Sequence, residues 1–187
     1  KLFVRAIVKF LLGIILTAIL LFISAGTVDF GNSWLFMGLL FIPMSIAGIV
    51  LMRRNPELLR KRLKAKEKEP KQKTIILLGG LMFLCGFIIA GLDHRYGWMA
   101  LPKWIVIASS FVFLLSYVLY AEVLRENAYL SRTIEIQEDQ KIIDTGLYGI
   151  VRHPMYSATI FLFLAIPLIL GSLFSFFIFL TYPVIIV

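Results

Sequence analysis

The run Gly146-Leu147-Tyr148-Gly149-Ile150-Val151-Arg152-His153-Pro154-Met155-Tyr156 holds the densest grouping of chemically capable residues in the sequence. Pro154 stands where a helix would begin, since its fixed φ and missing N–H cost nothing at the first helical position. Arg152 and His153 then fall at the positive end of that helix, with Tyr156 in its first turn. Free backbone N–H groups, a guanidinium and an imidazole converging at one place favour an anion such as a carboxylate or phosphate. Gly146 and Gly149 would let the backbone approach a ligand closely. Singly, the Arg and His could be topogenic charges and the Tyr an interfacial anchor. Together with two glycines and an acidic loop ahead of them, they point to a site.

Other chemistries are poorly served. His94 is the one other histidine and is expected on the opposite face of the membrane, so no two-histidine metal site and no bound metal is expected. Cys85 is alone in an apolar run, which excludes an intrachain disulfide and a cysteine-built metal site. A hydrolase nucleophile elbow, a Walker lysine loop and a dinucleotide glycine fingerprint are all missing.

The elements that must position this run are apolar. The 187 residues are 60% hydrophobic and 16% charged, with a mean hydropathy of +0.91. A soluble domain is about half apolar and about a quarter charged, and a disordered chain needs low hydrophobicity, so both classes are excluded. One membrane-embedded domain over residues 1–187 is the economical reading: all-α, a polytopic transmembrane helix bundle of about six spans. The spans run about Ala6 to Ala25, Trp34 to Met52, Thr74 to Leu92, Trp104 to Ala121, Pro154 to Leu170 and Leu173 to Val187. The last would rise only about 22 Å against a hydrocarbon core of about 30 Å. The chain is therefore expected to continue past Val187, and a first residue of Lys suggests an incomplete N-terminus as well.

Lys and Arg set the orientation. With the N-terminus in the cytoplasm, 3 fall at the N-terminal end, 10 between Arg53 and Lys73 and 4 between Glu122 and Arg152, leaving Arg95 and Lys103 outside. The net charge of +8 is thus explained by topology, and nucleic-acid binding is not expected. The Arg53–Lys73 segment, with Leu58, Leu59 and Leu63 among cations, reads either as a solvated loop or as a short amphipathic helix on an anionic leaflet. Outside, the Asp93–Lys103 connection with Trp98 and Trp104 reads as an interfacial aromatic belt. Glu122–Arg152 differs in kind, with six acidic and four basic residues, short apolar patches at Ile134, Ile136, Ile142 and Ile143, and a turn at Asp144-Thr145-Gly146. It reads as a structured cytoplasmic loop before the fifth span.

From Glu126-Asn127 through Tyr156 the sequence resembles the isoprenylcysteine carboxyl methyltransferases, integral membrane enzymes, and more loosely the related phospholipid N-methyltransferases. Gly146-Leu147-Tyr148 and Arg152-His153-Pro154-Met155-Tyr156 are the most specific parts, and Asn55-Pro56-Glu57-Leu58-Leu59 resembles bacterial members. Membrane sterol reductases share an Arg-His-Pro-x-Tyr core, but continue it as Asn-Tyr-Phe-Gly where this chain has Met155-Tyr156-Ser157-Ala158. The resemblance implies S-adenosylmethionine as cofactor, held at the cytoplasmic mouth by Gln137, by Gln140, Lys141, Ile142 and Ile143, by Tyr148, and by His153, Pro154, Met155 and Tyr156. Arg152 is an orienting cation in this reading. The family also uses an Arg and paired acidic residues after the final span, which the expected continuation would carry.

Methyl transfer from a sulfonium is an in-line displacement that needs alignment and partial desolvation more than an acid, base or metal. A carboxylate is already a nucleophile near neutral pH, so a lipophilic acceptor of isoprenylcysteine type, entering from the bilayer among membrane lipids, suits such a site. The competing expectations are an NADPH-dependent sterol-type reductase and a non-enzymatic transporter or scaffold. Against a transporter, the middles of the spans carry no charged residue.

Overall fold

In lipid every backbone N–H and C=O must find its partner within the chain, so long apolar runs become helices. The structure, a computed structural model, describes residues 2–63, 70–126 and 146–186. Its helices are α1 (Leu2–Ala25), α2 (Gly31–Arg54), α3 (Pro56–Leu63), α4 (Pro70–Tyr96), α5 (Lys103–Glu126), α6 (Leu147–Ile150), α7 (Pro154–Leu170), α8 (Leu173–Phe179) and α9 (Tyr182–Ile185). Four are long and apolar enough to cross a membrane: α1, α2, α4 from Gln72 onward, and α5. Two shorter apolar stretches, Pro154–Leu170 and Leu173–Ile185, complete an arrangement close to the expected six spans.

The last stretch departs from expectation, because it is two helices and not one. Pro183 cannot donate to the carbonyl of Phe179 and its ring would clash there, so α8 ends and α9 restarts at Tyr182 with a proline in its first turn. The Arg53–Lys73 segment contains a helix, α3, and its Leu59 is buried.

The bundle buries aromatics at its centre and presents aliphatic side chains outward. Phe83 meets Phe179 at 5.2 Å and Phe163 at 4.9 Å, both edge-on, and Phe36 meets Phe113 at 6.1 Å. Ile23, Phe111 and Val118 are among the large apolar side chains left exposed, as a lipid-facing surface requires. Small residues set the closest approaches. A Cβ on Gly91 of α4 would overlap the Ser24 side chain and stand 2.9 Å from the Ala25 nitrogen of α1, and one on Gly86 would overlap the Phe179 ring. α5 packs along α7, while α4 packs on α1 and α8.

The end of the bundle far from Arg152 is fixed by one carboxylate. Asp93 is buried, accepts from the Ser172 hydroxyl at 2.6 Å and from the Met99 N–H at 3.0 Å, and so ties α4 to the start of α8 and to the turn before α5. Ser172 in turn caps α8, accepting from the Ser175 N–H at 3.2 Å, while the Ser175 hydroxyl donates to the Gly86 carbonyl at 2.8 Å. The Asp93–Lys103 connection is therefore anchored from within, beneath the aromatic face made by Tyr96, Trp98 and Phe174. Asp93→Ala strands two donors and should cost about 2 kcal/mol or more. The expected outcome is a lower thermal midpoint in detergent, with Asp93→Asn falling between the variant and the parent.

Candidate active site at one end of the bundle

Glu126, the last residue of α5, organises the glycine turn that follows in space. Its carboxylate Oε2 accepts the Leu147 N–H at 3.0 Å, satisfying one of the donors that a helix start leaves open. Gly146 there has φ +54° and ψ −126°, a backbone that L side chains rarely adopt, and a Cβ would collide with the Glu126 carboxylate. The close approach that glycine permits at 146 is therefore to Glu126, where the sequence suggested a ligand. One turn of helix follows, closed by Gly149 N–H to the Gly146 carbonyl at 3.2 Å and Val151 N–H to the Leu147 carbonyl at 2.9 Å.

Val151 is extended and His153 is the N-cap residue of α7, with Pro154 in the first position as the sequence indicates. The His153 carbonyl takes the Ser157 N–H at 3.2 Å, and its ring makes no cap bond. Instead the imidazole stacks on Tyr156, ring centres 5.5 Å apart and planes 29° from parallel. Pro154 is buried and Met155 half-buried, which roots the first turn in the bundle, while Arg152, His153 and Tyr156 are exposed. Tyr148 is half-buried. Arg152 has no ion-pair partner among the described residues. Since Pro154 lacks an N–H and Ser157 is engaged, Met155 and Tyr156 carry the donors of this helix start that stay open among the described residues.

The sequence reading did not single out Thr159 and Tyr182 as site residues. The Thr159 hydroxyl lies 3.0 Å from the carbonyls of both Met155 and Tyr156, and accepts from the Tyr182 hydroxyl at 3.2 Å. Tyr182 also meets Phe163 at 4.6 Å, so α9 braces the turn bearing the candidate residues. Back-bonding by Thr159 is legible from its spacing to Met155 and Tyr156; nothing local signals Tyr182, 23 residues further on. Gln137, Gln140, Lys141, Ile142 and Ile143 lie outside the described residues. Among the described residues no group of three or more His, Cys, Asp or Glu is placed to hold a metal.

Glu126→Ala leaves the Leu147 N–H without its charged acceptor. A loss of about 1.5 kcal/mol corresponds to roughly tenfold faster amide exchange, expected for a peptide covering Leu147–Ile150 and not for peptides of α5.

Comparison with curated proteins and with solved structures gives no match. A family model described as phospholipid methyltransferase does match, over residues 104–187, the stretch that holds α5, the glycine turn, the α7 start and the bracing α9. Residues 104–187 are thus similar to the phospholipid methyltransferase family, integral membrane methyltransferases related to the isoprenylcysteine carboxyl methyltransferases.

Proposed function

We propose that the protein transfers a methyl group from S-adenosylmethionine to a lipophilic acceptor at the end of the bundle where α5 stops and α7 starts. The family implies methyltransferase activity at a membrane. The observation that carries the finer reading is the exposed Arg152–His153 pair at the head of α7, with Tyr156 stacked on the imidazole and the preceding turn fixed by Glu126. A guanidinium and an imidazole beside open backbone donors suit the carboxylate of the amino-acid part of the cofactor. Stacked aromatic rings suit either its adenine or its sulfonium. Those described residues are proposed to supply part of the donor set for such a cofactor, with Gln137 and the stretch Gln140 to Ile143 completing it.

The chain's task in this reading is alignment. Pro154 and Met155, packed into the bundle, fix the direction of α7; Thr159 and Tyr182 hold its first turn; Arg152 orients the anionic end of a ligand. The cofactor, when bound, supplies an activated methyl on a positively charged sulfur. The acceptor needs only to reach that carbon in line, with water held away. A carboxylate of isoprenylcysteine type meets this demand without deprotonation. A phospholipid amine is the second acceptor class, favoured by the description of the matched family.

We place this end of the bundle in the cytoplasm, where the cofactor is made, in keeping with the distribution of Lys and Arg. Calorimetry on the protein in nanodiscs should show saturable binding of S-adenosylmethionine and none of NADPH. Tyr148→Ala and His153→Ala should each weaken it by about tenfold or more with the thermal midpoint unchanged. Parental affinity in both variants would remove the site assignment, and NADPH binding would bring back the reductase reading.

A further inference from the structure

The same end of the bundle carries a second feature that the methyl-transfer reading does not use. α2 ends in Arg53 and Arg54, the chain turns at Asn55, and α3 starts at Pro56 with the Leu59 N–H bonded to the Asn55 carbonyl at 3.2 Å. Leu59 is buried, so α3 is seated on the bundle. Its far end is held too, because Lys9 of α1 donates from Nζ to the Leu63 carbonyl at 2.6 Å. Both ends of an eight-residue helix are thereby fixed beside the first turns of α1. Arg5, Lys9, Arg53, Arg54 and Arg60 are exposed along this ledge, and Glu57, 3.4 Å from Arg60, is the acidic residue among them in α3.

Two observations indicate what lies against it. Immediately beside these cations, Val4 and Val8 of α1 and Ile49 and Val50 of α2 are exposed, which puts the charges at the edge of an apolar belt. The opposite end of the bundle has no comparable excess, with Arg95 and Lys103 set against Asp29 and Asp93. Cations that rim an apolar surface are placed at headgroup depth, whereas a nucleic-acid surface would stand clear of exposed aliphatics.

We propose that the ledge formed by α3, the end of α2 and the start of α1 binds the headgroups of anionic phospholipids, clamping α3 to the membrane. Among the described residues Arg53 and Arg54 have no carboxylate in ion-pair reach, so their charge, with that of Arg5 and Lys9, is open to a phosphodiester. The attraction is screened by salt.

The test compares the full chain in nanodiscs of phosphatidylcholine alone and of phosphatidylcholine with phosphatidylglycerol. The thermal midpoint is expected to rise by about 3–6 °C with the anionic lipid. Inorganic phosphate added to phosphatidylcholine discs should not reproduce the rise, which separates a headgroup from a free anion. An Arg53→Gln, Arg54→Gln, Arg60→Gln variant should lose at least half of the rise, and the corresponding Lys variant should keep most of it. No rise in the parent, or an equal rise in the Gln variant, overturns the proposal. Should the Gln variant not fold, the salt dependence of the parent decides: a rise that shrinks as salt is added supports the ledge, and one indifferent to salt overturns it. Methyl transfer enters none of these readouts, so the outcome is independent of the proposed reaction.

Discussion

A chain whose spans lie in lipid can place polar function only where helices end, because a backbone or side-chain group left unpaired in hydrocarbon costs several kcal/mol. This constraint arranges the whole molecule. Ser109 and Ser116 are turned inward, and the Ser116 hydroxyl donates at 2.7 Å to the Val112 carbonyl of its own helix. Tyr117 reaches across to the Leu40 carbonyl of α2 at 3.1 Å, close to Pro43, whose ring disturbs that helix. Charge is deferred to the two ends, and each end settles it differently.

At one end a carboxylate is buried. Each oxygen of Asp93 accepts one hydrogen bond, from Ser172 and from Met99, which makes it a structural clamp joining α4, the start of α8 and the turn before α5. At the other end a carboxylate is spent on a turn: Glu126 takes the Leu147 N–H and leaves Arg152 and His153 outside the pairing. The first arrangement is closed, with donors and acceptors matched inside the protein. The second leaves, among the described residues, a guanidinium, an imidazole and open N–H groups facing outward, the condition for receiving an anionic ligand. The contrast supports placing chemistry at the α7 start and not in the cavity beside Asp93 and His94, where the imidazole is stacked on Phe30 at 4.0 Å.

Much of this was legible in the sequence, for physical reasons that differ from residue to residue. Apolar runs of about twenty residues allow few alternatives in lipid, so the spans from Ala6 to Ala121 were readable to within a few residues. Pro154 marked a helix start because proline is tolerated there and hardly anywhere else within a helix. The break before Tyr182 is signalled by Pro183 and not by hydropathy or length, which continue unbroken across it. Asp93 stands in sequence at the edge of a surface connection, and its burial depends on a serine 79 positions away. Gly146 was recognised as special, but its reason, the Glu126 carboxylate filling the place of a Cβ, is a long-range fact that composition cannot carry.

The lengths of two neighbouring helices bear on how a lipophilic acceptor could meet a polar cofactor. α5 has 24 residues and α7 has 17, and their far ends are held near one level by the bridge between Ala100 and Ser172. By length alone α7 is about 10 Å shorter than α5. The chain bonded to Glu126 at Leu147 must then descend through Val151 and Arg152 to reach Pro154. On the proposed reading, His153 and Tyr156 consequently lie nearer the middle of the bundle than the glycine turn does. A water-soluble cofactor would be held from above by the turn, and an acceptor anchored by its lipid tail would approach from the side. A short fifth span is thus a means of bringing the two together, since a full-length helix would lift the reacting groups out among the headgroups and into water.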